Sequence, residues 1–270
     1  MFLPRFWRRR PHPLTELGGP VANIAVVTLA TPNIACYAKL SFANKLAYAQ
    51  RHGYDFYHYT SVLDRTRPPS WSKVRIIQKH LSAYDWVFWT DADSLIMNPS
   101  IALQDILLRA GSSNMVLTPG PRDKYNTGQW MVRRCEWSAT VLQQIWEEVR
   151  PSDFWYRGNP WEQRALAQLV ERNPEIAKDI CVLAMREMNS RPESAYIDRC
   201  PELTGLDYEP GDFIVHFYHT KDAALRLKGM TRYYEEWLCS HAQQRPFADD
   251  VDSFSGGHKW VARKPADDFR

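Results

Sequence analysis

Trp86-Val87-Phe88-Trp89-Thr90-Asp91-Ala92-Asp93 is the stretch that decides how this chain is read. Its apolar and aromatic run predicts a buried strand. The strand ends in two carboxylates spaced i, i+2. Side chains two apart on extended backbone share one side, so Asp91 and Asp93 are expected to face a single point at the strand end. Two such charges about 5 Å apart near a surface repel by roughly 3 kcal/mol at an effective dielectric of about 20. A divalent cation between them offsets that cost, and oxygen ligands of this kind suit Mg²⁺ or Mn²⁺. Ligands bind beyond the strand ends of open α/β sheets. These residues therefore predict a metal site that holds a phosphorylated substrate.

Working outward, Ile24–Leu29 reads as a first buried strand. Ala35 to His52 reads as a helix with Leu40, Ala43, Leu46 and Ala47 on its apolar side, stopped by Gly53. Asp55–Tyr59 suits a second strand. Pro68-Pro69 then punctuates, and Ser70 is the expected N-cap of a helix from Trp71 to Leu81. The order β-α-β-α-β implies a parallel sheet with right-handed crossovers. Downstream, Asn98-Pro99-Ser100 reads as a turn and cap before a helix reaching about Arg109. Met115–Leu117 and Gln129–Val132 are expected strands. Glu136–Val149 and Trp161–Glu171 are expected helices, the second preceded by the turn Gly158-Asn159-Pro160. Asp212–Phe217 reads as a late strand and Ala223–Cys239 as a final helix. The fold class is α/β: one domain over residues 21–245, its mostly parallel central sheet flanked by helices. A basic, Pro-rich tail (1–20) precedes it and a polar tail (246–270) follows.

Composition narrows the function classes. The 270 residues are 44% apolar, enough for a substantial core, and a net charge of +3 gives no basis for nucleic-acid binding. Arg5-Phe6-Trp7-Arg8-Arg9-Arg10 is a local exception that fits either contact with anionic lipid head groups or a solvated terminus. Five widely spaced cysteines with no CxxC pair argue against a zinc site or a disulfide framework and fit a reducing compartment. No stretch approaches the roughly 20 apolar residues of a spanning helix. Pro11-His12-Pro13 follows the basic N-terminus where a signal peptide would carry its apolar core. The expectation is a soluble cytoplasmic protein, with or without peripheral association to a membrane.

Several motifs then line up in order. They are Tyr48-Ala49-Gln50-Arg51-His52-Gly53-Tyr54-Asp55, Trp71-Ser72-Lys73-Val74, and Trp89-Thr90-Asp91-Ala92-Asp93-Ser94-Leu95-Ile96-Met97-Asn98-Pro99. Tyr125-Asn126-Thr127-Gly128 with Arg133-Arg134, Glu162-Gln163, and Gly211-Asp212-Phe213-Ile214-Val215-His216-Phe217 complete the set. Together, from about Val26 to Tyr234, they resemble glycosyltransferase family 34. Its fungal α-galactosyl- and α-mannosyltransferases and plant xyloglucan xylosyltransferases share the GT-A (Rossmann-like) fold. The resemblance implies a retaining, metal-dependent transfer of a hexose or pentose from a UDP- or GDP-sugar to a glycan, lipid-linked or other hydroxyl acceptor, as in polysaccharide biosynthesis. It implies that Asp91, Asp93 and His216 hold Mn²⁺ (or Mg²⁺) against the donor diphosphate, which Asp91, Lys73 and Lys221 would contact. Thr28 and Leu29 would flank the nucleoside. Gln163 would lie beneath the anomeric carbon and Asn126 would hydrogen-bond the donor sugar or acceptor. Retention with so poor a nucleophile as an amide favours same-face substitution, in which the departing phosphate helps deprotonate the acceptor. The chain departs from the pattern twice. Arg164 stands where an acidic residue follows Glu-Gln, and Tyr218-His219 replace a small pair after His-Phe, giving His219 its own reach toward metal or phosphate.

Blander readings stand beside these. Asp91 and Asp93 also fit a solvated turn, His216 a hydrogen-bonded core histidine, Lys73 and Lys221 surface lysines, Gln163 a helix-face amide, and Asn126-Thr127-Gly128 a plain turn. His58, His80 and His241 keep no motif company and read as structural or exposed. Trp155 and Trp161 could stack on an acceptor sugar, though core packing is their default. Two other functions compete. A haloacid-dehalogenase-type phosphohydrolase would use Asp91 as nucleophile and Asp93 as acid/base, but that motif normally opens its domain, and Asp249-Asp250 follow no strand. A non-catalytic carbohydrate-binding protein on the same fold is the other.

Overall fold

The computed structural model describes residues 22–120, 124–148, 161–199 and 205–241. The expected tails, the Gly158-Asn159-Pro160 turn, Trp155, Cys200 and Asp249-Asp250 lie outside the described residues. The first ninety residues follow the hydrophobic pattern closely. β1 is Ile24–Leu29, α1 Ala35–His52, β2 Asp55–Tyr59, α2 Ser72–Leu81 and β3 Trp86–Thr90. Gly53 ends α1 in the left-handed region at φ 70°, where a Cβ would be strained. Next come β4 (Ser94–Ile96), α3 (Leu103–Ala110), β5 (Met115–Thr118), β6 (Asn126–Arg133), α4 (Glu136–Glu148) and α5 (Trp161–Arg172). The series closes with β7 (Ile180–Val182), α6 (Met185–Met188), β8 (Ile214–His216) and α7 (Ala223–Ser240).

Four local expectations are corrected. Ser70 does not cap α2: it sits inside a 3₁₀ turn, Pro69–Trp71, with its hydroxyl buried and unpartnered. The helix expected after Ser100 starts at Leu103, because Asp105 inside its first turn accepts from the Ala102 backbone at 3.1 Å. Asn126-Thr127-Gly128 is not a turn but the start of β6. The late strand shrinks to three residues.

The main sheet runs β2-β1-β3-β6-β5-β7. Five of these strands are parallel, and β6 opposes both its neighbours. The β1–β2 and β1–β3 pairs are parallel, as the β-α-β-α-β order predicts. The reversed β6 matters for function, because its first residues land at the C-terminal end of β3. One core packs Val27, Trp89 and Trp130 with the faces of α2, α4 and α5. A second packs Val26, Phe88 and Met131 with α1 and α3. A third joins Leu95, Val215, Phe217 and Trp237 under α7. α1 is buried from Tyr37 to Ala49 apart from Lys39 and Leu40, since it lies between the second and third cores. Among the described residues no helix is long and apolar enough to cross a membrane, and Cys36, Cys135, Cys181 and Cys239 are free thiols.

Candidate functional site

β3 stops at Thr90, and Asp91-Ala92-Asp93 turns away from the sheet instead of continuing it. The two carboxylates converge through a turn, which corrects the extended-strand expectation. Hydrogen bonds to the main chain shape the turn. Asp91 N–H donates to Gly128 O at 2.8 Å, Ser94 Oγ donates to Asp91 O at 2.7 Å, and Phe217 N–H donates to Asp93 O at 2.9 Å. The chain then enters β4, which pairs antiparallel with β8 outside the main sheet, Ser94 opposite His216. That pairing brings a histidine from the far end of the sequence to the carboxylates.

His216 Nε2 lies 3.2 Å from Asp93 Oδ1 and 3.8 Å from Asp91 Oδ2. Among the described residues, these three are the group whose ligand atoms all lie within 4.8 Å of one another; His219 is not in it. His216 Nδ1 lies 2.8 Å from the Asn189 amide oxygen, a buried contact that holds the ring. That leaves Nε2 on the side of the two carboxylates. Three converging acceptors, with the imidazole held by a buried outer partner, form a donor set suited to a divalent cation. Gly128 makes room for it: a Cβ there would overlap the His216 Cε1 carbon and come 2.8 Å from Nδ1.

Both carboxylates are also paired to cations. Lys73 is buried, its Nζ 3.2 Å from Asp91 Oδ1 and 2.8 Å from Glu162 Oε1, and it donates to Thr127 O at 3.1 Å. Burial opposes its charge, but Asp91 and Glu162 outweigh that and hold its pKa above the usual lysine range. Trp89 Nε1 adds a bond to Asp91 Oδ1 at 2.6 Å. On the other side Arg226 Nη1 lies 3.3 Å from Asp93 Oδ2. Burial works against the Asp93 charge, yet Arg226 and His216 keep its carboxyl well below the ordinary range.

The remaining expected residues fall into two groups. Gln163 and Asn126 flank the turn. Gln163 Oε1 accepts from Thr127 N–H at 3.3 Å, and Asn126 Oδ1 from Gly128 N–H at 2.9 Å. Thr28, Leu29 and Lys221 are not joined to the triad by a described contact. Thr28 and Leu29 are buried. Thr28 continues the cross-strand row Val26–Phe88–Met131 by one step, beside Thr90 and Gln129, and its hydroxyl is unpartnered there. Lys221 has an exposed side chain, and its backbone N–H is held by Asp198 at 2.9 Å. Arg164 turns along α5 toward Glu171, 3.6 Å away. The Tyr218 ring packs 4.8 Å from that of His216, with His219 against it at 4.5 Å.

Five further residues join the site without a role predicted from sequence. Glu162 is buried, bonds Lys73 and Thr127 Oγ1 through Oε1, and leaves Oε2 unpartnered; its place beside Gln163 was the available signal. Lys45 is fully buried in α1, a charged residue inside an apolar run. Its Nζ donates to Asp91 O at 2.7 Å, to Ser94 O at 3.0 Å and to Ser41 Oγ. Burial pushes its pKa down to about 7 against the pull of Asp93 and Asp91. Asn44 clamps Ile96 by both its amide atoms, so α1 holds β4 by a polar pad. Asn189 and Arg226 carry no sequence signal.

A profile of the galactosyl transferase GMA12/MNN10 family, glycosyltransferase family 34, matches residues 23–119 and 109–224. The chain belongs to this family. An uncharacterised α-1,2-galactosyltransferase of Schizosaccharomyces pombe is 27% identical over 221 residues, covering 67% of this chain and 56% of that protein. The probable α-1,6-mannosyltransferase MNN10 of Saccharomyces cerevisiae is 27% identical over 220 residues, 68% of this chain and 52% of that one. The chain thus spans about half the length of the curated relatives it matches. A glycosyltransferase involved in glycosylation of the major capsid of PBCV-1 superposes with a TM-score of 0.61 at 21% identity, over 78% of this chain and 99% of that one. The galactosyltransferase LgtC, solved with donor and acceptor sugar analogs, superposes at 0.50 and 12% identity, over 82% and 99%. The fold is GT-A.

Proposed function

We propose that this family member is a metal-dependent, retaining glycosyltransferase that moves a hexose or pentose from a UDP- or GDP-sugar to a glycan or lipid-linked hydroxyl acceptor. The observation that carries this reading is the Asp91–Asp93–His216 triad with its imidazole fixed by Asn189. Asp91, Asp93 and His216 would hold Mn²⁺ or Mg²⁺, which would supply positive charge for the leaving nucleoside diphosphate. Lys73 would hold Asp91 in place while it contacts the donor side. Lys221, exposed on the loop before α7, would meet the diphosphate. Thr28 and Leu29 would back the nucleoside. Gln163 would lie under the anomeric carbon, where an amide oxygen stabilises oxocarbenium charge without attacking it. Asn126 would orient a sugar hydroxyl. The departing phosphate would then take the acceptor proton on the same face, so that configuration is retained. The basic residues 5–10 would favour a cytoplasmic protein resting on an anionic membrane surface, with 21–245 as the catalytic unit.

Transfer assays with a panel of UDP- and GDP-sugars and Mn²⁺, followed by NMR of the product anomer, test this reading. Turnover should stop with chelator and fall to background in Asp93→Ala with cooperative unfolding retained. Full Asp93→Ala activity in chelator would sink the metal-dependent reading. An inverted product anomer would sink the retaining one. Phosphate release from simple phosphomonoesters, without sugar transfer, would point to the phosphohydrolase.

A further inference from the structure

Arg226 stands out because it pairs with Asp93, one member of the triad. The two oxygens of Asp93 face different groups: Oδ1 faces His216 Nε2 at 3.2 Å and Oδ2 faces Arg226 Nη1 at 3.3 Å. The guanidinium is mostly buried. It donates to Tyr37 OH at 2.9 Å and to Thr220 O, and its Nε has no partner. It also lies 5.3 Å over the Tyr37 ring. These anchors are neutral, so they keep Arg226 at the rim of the site whether or not it touches Asp93. Asp91 shares a cation with Glu162: Lys73 lies 3.2 Å from Asp91 Oδ1 and 2.8 Å from Glu162 Oε1. Each metal-facing carboxylate therefore already has a cation beside it.

A bare divalent ion entering between Asp91, Asp93 and His216 would meet Arg226 across a single carboxylate and repel it at short range in a water-poor setting. A diphosphate arriving with the ion changes the balance. It brings two negative charges and planar oxygen pairs that a guanidinium grips with two hydrogen bonds. We propose that Arg226 couples metal to nucleotide: it disfavours the free ion at Asp93 and favours the ion–diphosphate pair by turning from Asp93 to a phosphate oxygen. This rests on the transferase reading above and adds a coupling residue, not a new reaction.

The test is calorimetric titration of Mn²⁺ into the natural chain, Arg226→Gln and Arg226→Lys, each alone and with UDP or GDP. Gln removes the charge and keeps a polar head group, and circular dichroism checks the fold. In the natural chain, nucleotide should tighten Mn²⁺ strongly. In Arg226→Gln, free Mn²⁺ should bind about tenfold tighter, and the nucleotide-driven gain should shrink by a similar factor, as reciprocal coupling requires. Arg226→Lys, which keeps the charge and loses the fork, should bind free Mn²⁺ as the natural chain does while losing part of the nucleotide gain. Unchanged or weaker free Mn²⁺ binding in Arg226→Gln overturns the proposal, as does free-ion tightening in Arg226→Lys equal to that in Arg226→Gln. If no chain binds Mn²⁺ with or without either nucleotide, the metal-transferase reading falls with it. If all bind Mn²⁺–UDP or Mn²⁺–GDP alike and only the Arg226 effect is absent, that reading survives.

Discussion

The two strands that deliver the triad are built in opposite ways. β3 has five buried residues, is paired on both sides in the main sheet, and spans both sheet cores. β8 has three residues and pairs with the three-residue β4 in a sheet of its own. The carboxylate turn inherits its position from a rigid core. The histidine depends on contacts distant in sequence: Ser190 O accepts its backbone N–H at 2.8 Å, Asn189 holds its ring, and Gly128 leaves it space. A strand that packs well needs only its own apolar run, whereas a side chain on a three-residue strand is placed by a scaffold from several segments.

Three substitutions probe this contrast, beginning with the largest effect. Gly128→Ala should push the His216 ring off the carboxylates, and displacement of about 1 Å at a reacting site costs on the order of 100-fold in turnover. The main sheet should keep its cooperative unfolding, because Ala fits a strand. Turnover within twofold of the natural chain would show that His216 tolerates the shift. Asn189→Ala should remove the bond that orients the imidazole and weaken Mn²⁺ binding about 10- to 100-fold, read by metal titration. An unchanged affinity would mean that β8 alone orients the ring.

The smallest effect belongs to the main sheet. Burial among Phe42 and Phe56 pushes the His58 imidazole down to about 4 from its ordinary 6.5. Between those values the unfolded chain takes up a proton that the folded chain refuses, so stability falls as pH drops from about 6.5 toward 4. His58→Phe should reduce the stability lost between pH 7 and 4.5 by about 2 kcal/mol, measured by urea unfolding at both values. A slope equal to that of the natural chain would assign the acid sensitivity to other groups.

Legibility follows the same division. The bounds of β1, α1, β2 and β3 agree with the pattern because each buries a local apolar signal, and α1 and β3 end at Gly53 and at the acidic turn from Asp91. β4, β7 and α6 are too short to show a period. The direction of β6 was unreadable, since its apolar run is the same whichever way it pairs. In the site, Asp91, Asp93 and His216 were legible through their motif company. Asn189, Lys45 and Arg226 were not, because their roles lie in contacts across 27, 46 and 133 residues.

By itself, the sequence determined the α/β rhythm, the strand that ends in two acids, and the family, because hydrophobic period and motif order are local properties of the chain. Only the tertiary structure decided how the acids converge and what surrounds them. An antiparallel β6 returns Gly128 to the end of β3, and a minor sheet carries His216 across. Lys45, Lys73 and Arg226 balance the acids from three different helices. Charge balance and close approach depend on distances in space, which no one-dimensional pattern records.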